Sequence, residues 1–125
     1  MAKIMIIDDD LQTSALMANL VELTGNESVI VNASGNAMKT AKSSLPDLIL
    51  LDIMMPEVSG IDLCRLFKAE PALASIPVIM VSALHDIKSK RDAAEAGAMD
   101  YLTKPLTADE FTNKILSALK KIQNH

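Results

Sequence analysis

The chain has 125 residues, half of them hydrophobic, a net charge of −4 and a single cysteine. A chain of this length is expected to fold as one domain over residues 1–125, with a full hydrophobic core and no internal disulfide. The acidic net charge and the scattered basic residues argue against a surface that binds nucleic acid. No apolar run approaches the roughly 18 residues of a membrane span, so the sequence predicts a cytoplasmic protein.

The amino-terminal part of the chain predicts a strand followed by a helix. Lys3–Ile7 is a short apolar run, as expected of a buried strand, and three acids follow it. Asp10, the last of these acids, is placed to cap a helix that Gly25 could close. The apolar face of this helix is predicted to comprise Leu16, Leu20 and Leu23.

The middle of the chain carries the most apolar strand pattern. Leu48–Leu51 is a run of four aliphatic residues bounded by turn residues, which is typical of a strand buried on both faces of a parallel sheet. One acid, Asp52, follows it directly. Residues 28–31 predict a weaker strand before it, and residues 34–44 predict a short helix of small residues.

Two later helices begin with recognisable caps. Ser59 and Asp62 have the spacing of a capping box, and so do Thr107 and Glu110. The predicted buried faces of these helices comprise Ile61, Cys64 and Phe67 in the first, and Phe111, Ile115, Ala118 and Ile122 in the second.

The remaining elements continue the alternation of strands and helices. Residues 78–81 predict a fourth strand that ends at Ser82, residues 87–96 a fourth helix, and residues 101–103 a short fifth strand that ends at Lys104. Because parallel strands need crossover helices, this alternation predicts an α/β fold, with a doubly wound parallel sheet and helices on both faces.

Polar side chains terminate four of the five predicted strands. Asp8 and Asp9 follow the first strand, Asp52 the third, Ser82 the fourth and Lys104 the fifth. In a parallel sheet these side chains gather along one edge, where crowded carboxylates repel one another unless a cation such as Mg²⁺ joins them. A metal with an ammonium and a hydroxyl nearby suits a phosphoryl group, so Asp52 is a candidate nucleophile.

Four segments carry a resemblance to a known family. The segments IIDDD (residues 6–10), LLDIMMP (50–56), VSA (81–83) and YLTKP (101–105), in this order and spacing, resemble the receiver domain of two-component response regulators, of the chemotaxis-regulator-like type. The resemblance covers essentially the whole chain. It implies a flavodoxin-like (βα)5 fold, with a five-stranded parallel sheet of order 2-1-3-4-5.

The resemblance implies a role for each of the charged residues at the strand ends. Asp52 matches the phosphoacceptor, Asp9 a direct Mg²⁺ ligand, and Asp8 an acid that acts on the metal largely through water. Met54, two residues beyond the acceptor, would offer its backbone carbonyl to the metal. Lys104 would pair with a phosphoryl oxygen.

Further positions concern the switch, a cis proline and the lifetime of the phosphorylated state. Ser82 matches the hydroxyl that moves to bind the phosphoryl group, Tyr101 the aromatic switch, and Pro105 a cis proline. Met54 and Leu84 each lie two residues beyond a site residue and are apolar. They are not expected to orient an attacking water, so we expect slow self-dephosphorylation.

The resemblance also implies partners. A histidine kinase or phosphotransfer protein would pass its phosphoryl group to Asp52 in a Mg²⁺-dependent step. The face built from the fourth helix, fifth strand and fifth helix would then bind a downstream target protein or a fused output domain, or form a homodimer. We expect no direct contact with nucleic acid or membrane, and no enzyme activity beyond self-phosphorylation from a donor and slow autodephosphorylation.

Two other classes of protein stay open at this point. An aspartyl-phosphate-type phosphohydrolase would also place an aspartate nucleophile at a strand end, but such enzymes usually carry a second acid where this chain has Met54. A phosphate-independent interaction module of the same fold would have no need of the five polar residues at the strand ends. Both alternatives are therefore less favoured than the receiver.

Overall fold

Strands and α-helices alternate five times along residues 1–123, the part of the chain that the computed structural model describes. Residues 124 and 125 of the predicted domain lie outside the described residues. The strands are β1 (Lys3–Ile7), β2 (Glu27–Val31), β3 (Leu48–Leu51), β4 (Val78–Ser82) and β5 (Asp100–Thr103). The helices are α1 (Leu11–Leu23), α2 (Ala37–Ser44), α3 (Gly60–Ala69), α4 (Ile87–Glu95) and α5 (Ala108–Gln123), with a 3-10 turn at Ser34–Asn36 before α2.

All five strands run parallel in the order β2-β1-β3-β4-β5, which confirms the predicted fold and strand order. The central strand β3 pairs with β1 on one side and with β4 on the other. In the register of β1 with β3, Ile7 lies opposite Leu51. The residues that follow these two, Asp8 and Asp52, are therefore neighbours at the carboxyl edge of the sheet.

The core consists of two apolar layers, one on each face of the sheet. Ile4 and Ile6 of β1 pack with α1 and α5, whereas Met5 and Ile7 pack with α2, α3 and α4. Successive residues of a strand point to opposite faces, so an uninterrupted apolar run is needed to supply both layers. Cys64 is fully buried in the second of these layers, as predicted, and its thiol donates to the carbonyl of Ala96 at 3.4 Å.

The predicted buried face of α1 is wrong. Leu16 and Leu23 are 47% and 82% exposed, and Leu20 is only partly buried. This helix has apolar residues on more than one side, so the spacing of these residues does not define a single apolar face. Packing against the sheet decides which side is buried. The side chains that face the sheet are those of Ser14, Met17, Ala18 and Val21.

The predicted helix starts are confirmed by their cap hydrogen bonds. The Asp10 carboxylate accepts from the backbone N–H of Gln12 at 3.0 Å, and Ser59 Oγ accepts from the N–H of Asp62 at 3.2 Å. Thr107 caps α5 in the same way. Within residues 1–123, no helix has both the length and the hydropathy to cross a membrane.

Candidate functional site

Three carboxylates converge at the carboxyl edge of the sheet. Asp8 and Asp9 follow β1, Asp52 follows β3, and each offers one oxygen within 4.8 Å of the others. Asp8 is fully buried and Asp52 is 5% exposed, whereas Asp9 faces solvent. The acids that were expected at one edge of the sheet do lie close together there, and the pairing of β1 with β3 brings them together.

Lys104 brings a positive charge into this cluster. It follows β5, and its Nζ lies 2.9 Å from Asp8 Oδ2 and 3.7 Å from Asp52 Oδ1. The shorter contact is with Asp8, so the lysine is at once a partner of the buried acid and a neighbour of the candidate acceptor. A cation held between carboxylates offsets part of their mutual repulsion.

Burial and charge shift the pKa of both groups. Burial, together with the charge of Asp8, raises the pKa of Asp52 to about 6, and the Lys104 ammonium offsets only part of this rise. Burial by itself would lower the pKa of Lys104, but the hydrogen bond to Asp8 and the charge of Asp52 outweigh it and raise this pKa. At neutral pH, Asp52 is therefore mainly a carboxylate and Lys104 is an ammonium.

The donor set fits Mg²⁺. Carboxylate oxygens are the hard ligands that this ion prefers, and Mg²⁺ usually takes one or two of them together with several waters. Asp9 is exposed, so the cluster is open to solvent on that side. Asp8, Asp9 and Asp52 are the residues that could hold the ion.

Backbone and side-chain groups fix the position of Asp8. The backbone N–H of Asp10 donates to Asp8 Oδ1 at 2.9 Å. The amide of Asn32 donates to the Asp8 carbonyl at 2.8 Å and to Ser14 Oγ at 2.9 Å. Sequence reasoning missed Asn32 and Ser14, although Asn32 follows β2 directly, just as the acids follow β1 and β3.

Ser82 and Tyr101 are connected through the backbone of Leu84. The N–H of Leu84 donates to Ser82 Oγ at 3.1 Å, and the Tyr101 hydroxyl donates to the Leu84 carbonyl at 2.5 Å. Ser82 is fully buried at the end of β4, and the Lys90 ammonium lies 5.8 Å from the centre of the Tyr101 ring. The two matched switch residues are therefore both hydrogen-bonded to the same residue of the β4–α4 loop.

The remaining matched positions lie around the cluster. The side chain of Met54 is 59% exposed, and its backbone N–H lies 3.4 Å from Asp52 Oδ1. Leu84 is partly buried and packs against the core layer formed with α2, α3 and α4. The Lys104–Pro105 peptide bond is cis, as the resemblance implies.

Comparison with known families and curated proteins gives a consistent match. The family model described as the response regulator receiver domain matches residues 4–116. The DNA-binding dual master transcriptional regulator RpaA of Synechocystis sp. is 36% identical over 123 residues, which cover 97% of this chain and 50% of RpaA. The phosphate regulon transcriptional regulatory protein PhoB of Pseudomonas aeruginosa is 34% identical over 94% of this chain and 52% of its own length. The chain thus spans about half the length of the curated relatives it matches.

Solved structures match over nearly the whole chain. A putative response regulator from Chloroflexus aurantiacus has a TM-score of 0.90 and 28% identity, and the match covers 95% of this chain and 98% of that one. The signal receiver domain of a signal transduction histidine kinase from Syntrophus aciditrophicus has a TM-score of 0.90 and 30% identity, and the match covers 100% of this chain and 95% of that one. The architecture of this chain is therefore shared with solved response regulator and receiver domain structures.

Proposed function

Because the chain belongs to the response regulator receiver domain family, and so is a receiver domain of two-component systems, we propose that it accepts its phosphoryl group on Asp52. One observation carries this proposal. Asp52 is a nearly buried carboxylate at the end of the central strand, with two further acids within 4.8 Å and the Lys104 ammonium at 3.7 Å. This is an arrangement that can take up a phosphoryl group and balance its charge.

The transfer step follows from these contacts. An Asp52 oxygen attacks the phosphorus of a phosphohistidine on the donor, the O–P bond forms as the P–N bond breaks, and the electron pair of that bond returns to the imidazole. Lys104 pairs with a phosphoryl oxygen, and the Ser82 hydroxyl donates to another. Asp9, Asp52, the Met54 carbonyl and, less directly, Asp8 would hold Mg²⁺, and the ion would supply further positive charge for the phosphoryl oxygens.

The lifetime of the phosphorylated state is part of the proposal. Met54 and Leu84 have no polar side-chain group with which to orient an attacking water, so self-dephosphorylation is slow. The chain turns over no small phosphate ester, which separates it from an aspartyl-phosphate-type phosphohydrolase.

The partners follow from the family and from the surface that the switch can alter. A histidine kinase or phosphotransfer protein in the cytoplasm supplies the phosphoryl group. The α4–β5–α5 face, which carries Tyr101, then binds a downstream target protein, a fused output domain or a second copy of the chain. RpaA is named as a DNA-binding regulator, and we assign no DNA contact to the receiver domain itself, because its net charge is −4.

Intact mass after incubation with acetyl phosphate tests the acceptor. The wild type is expected to gain one phosphoryl group only when Mg²⁺ is present, and Asp52→Asn is expected to gain none. Phosphorylation of Asp52→Asn to the level of the wild type would overturn the assignment. An unmodified wild type that also fails to bind Mg²⁺ would favour the phosphate-independent interaction module.

A further inference from the structure

The position of the loop that joins β3 to α3 affects two groups of the proposed site, Asp52 and the backbone carbonyl of Met54. The loop runs over residues 53–59, begins directly after Asp52 and includes Met54, whose backbone carbonyl is a proposed metal contact. Asp52 is held on its strand side by its own backbone N–H, which donates to the carbonyl of Ile7 at 2.9 Å. Beyond that point the chain leaves the sheet, so other contacts must fix the loop.

Gly60, the first residue of α3, lies directly against the start of this loop. A Cβ built on Gly60 would overlap the carbonyl oxygen of Asp52 and would lie 2.7 Å from the Cα of Ile53. Both atoms belong to the backbone, so no side-chain rotation could relieve the overlap. The N–H of Gly60 also donates to the Ile53 carbonyl at 2.8 Å. Any larger residue at this position must therefore displace the Asp52 peptide, the start of α3, or both.

Ser34 contacts the same loop at a second point, Pro56. It is a buried residue in the 3-10 turn after β2, and its hydroxyl donates to the carbonyl of Pro56 at 3.1 Å. Glu57, the residue after Pro56, has a left-handed backbone conformation with φ 72°. A non-glycine residue adopts this conformation only where its surroundings hold it there. Ser34 supplies one of those contacts.

We propose that Gly60 and Ser34 are positioning residues that hold the β3–α3 loop, and with it Asp52 and the Met54 carbonyl, in the arrangement that binds metal. The inference rests on the proposed function for its metal. The contacts of both residues are with backbone atoms of the segment from Asp52 to Pro56 and not with the carboxylates of the acidic cluster. Groups that orient metal ligands in this way commonly change metal affinity by about tenfold or more when they are removed.

The test compares Ser34→Ala with two controls in the whole chain. Ile115→Val removes a buried methylene on the opposite face of the sheet and serves as a control for lost stability. Gly35→Ala changes the neighbouring residue, where a Cβ meets only Glu57 Oε2 at 3.9 Å. Magnesium affinity is measured by titration calorimetry, and amide exchange of Val58 and Gly60 by NMR without metal. Ser34→Ala is expected to bind Mg²⁺ about tenfold more weakly and to exchange these amides about tenfold faster, while both controls stay at the wild-type values.

Gly60→Ala provides a second variant with a larger expected effect. If it folds, its loss of Mg²⁺ affinity is expected to exceed that of Ser34→Ala, because backbone rather than a single hydrogen bond is displaced. Wild-type Mg²⁺ affinity in a folded Gly60→Ala, or unchanged amide exchange in Ser34→Ala, would overturn the inference. A wild type that binds no Mg²⁺ would defeat the proposed function instead, and the amide exchange rates would then decide whether these residues position the loop.

Discussion

The ionisation of Asp52 has a direct consequence for stability. Its pKa is raised from 3.8 to about 6 in the folded protein, chiefly by burial and by the charge of Asp8. The folded state therefore favours the protonated carboxyl of Asp52. Its contribution to the free energy of unfolding is fully present below pH 3.8 and is lost as the pH rises through about 6. In the absence of metal, the contribution of Asp52 to stability is therefore smaller at neutral pH than in acid.

Replacing Asp52 with asparagine should therefore stabilise the metal-free protein at neutral pH. We expect Asp52→Asn to raise the free energy of unfolding by about 2–3 kcal/mol at about pH 7.5 and by much less at about pH 4. Urea unfolding with a chelator measures both values. Glu95→Gln, which removes an exposed negative charge from α4, should change neither by more than about 0.5 kcal/mol. Equal gains for Asp52→Asn at both pH values would contradict this account.

Lys104 is expected to lower the affinity of the site for Mg²⁺, in addition to pairing with the phosphoryl group. Its ammonium lies 2.9 Å from Asp8 Oδ2 and so neutralises part of the negative charge that would attract a metal ion. Lys104→Met is expected to lower the metal-free stability at neutral pH by about 2 kcal/mol and to tighten Mg²⁺ binding by about tenfold. Titration calorimetry and urea unfolding measure the two effects.

A matched control exists for this substitution. Lys114 pairs with Asp100 at 2.9 Å on the α5 side of the molecule, outside the acidic cluster. Lys114→Met removes the same charge and should leave the Mg²⁺ affinity unchanged. If Lys104→Met bound Mg²⁺ no more tightly than Lys114→Met, the competition between Lys104 and the metal would be disproved.

At the scale of single elements, the end of α2 is a point of backbone strain. Leu45 terminates this helix in the left-handed conformation, with φ 46° and ψ 66°, and its side chain is 57% exposed. A leucine in this conformation costs about 1 kcal/mol and gains little from burial here. Glycine is the residue that usually occupies such a position.

Leu45→Gly is therefore expected to stabilise the protein by about 0.5–1 kcal/mol. Leu66→Gly, in an exposed position inside α3, is the control and should destabilise by about 1 kcal/mol, because that backbone is helical. Urea unfolding distinguishes the two signs. A loss of stability in Leu45→Gly would show that the side chain makes a contribution that its exposure does not reveal.

At the scale of the whole molecule, the proposed switch would act through a connected set of hydrogen bonds. Phosphorylation adds about two negative charges beside Lys104 and Ser82. Because Leu84 binds Ser82 through its N–H and Tyr101 through its carbonyl, we expect a movement of Ser82 to alter the β4–α4 loop and the face beyond it. We expect a population shift between two packings of one fold.

Hydrogen exchange tests how far this shift extends. Acetyl phosphate with Mg²⁺ is expected to change exchange in the β4–α4 loop, α4 and β5, and to leave β2 and α2 at the opposite side of the sheet unchanged. Asp52→Asn under the same treatment should show no change in any element. Equal changes throughout the wild type would argue against a local switch.

Much of this molecule was predictable from local sequence patterns. Uninterrupted apolar runs such as Leu48–Leu51 indicate strands buried on both faces, and acids directly after two of them, including Asp52, indicate a shared edge. Helix caps such as Ser59 were predictable because a cap bond joins residues close in sequence. The parallel fold, the strand-end acids and the candidate acceptor therefore follow from the sequence by itself.

Tertiary structure decided the features that depend on distant neighbours. Packing against the sheet buries Met17 of α1 rather than Leu16. The order of apolar residues along a helix does not determine which side the sheet will cover. The contact of Lys104 with Asp8 joins residues 96 positions apart, and Gly60 needs to be glycine only because α3 starts against the Asp52 peptide. Local sequence specifies which groups are present, whereas the three-dimensional packing of the strands and loops sets the distances between them.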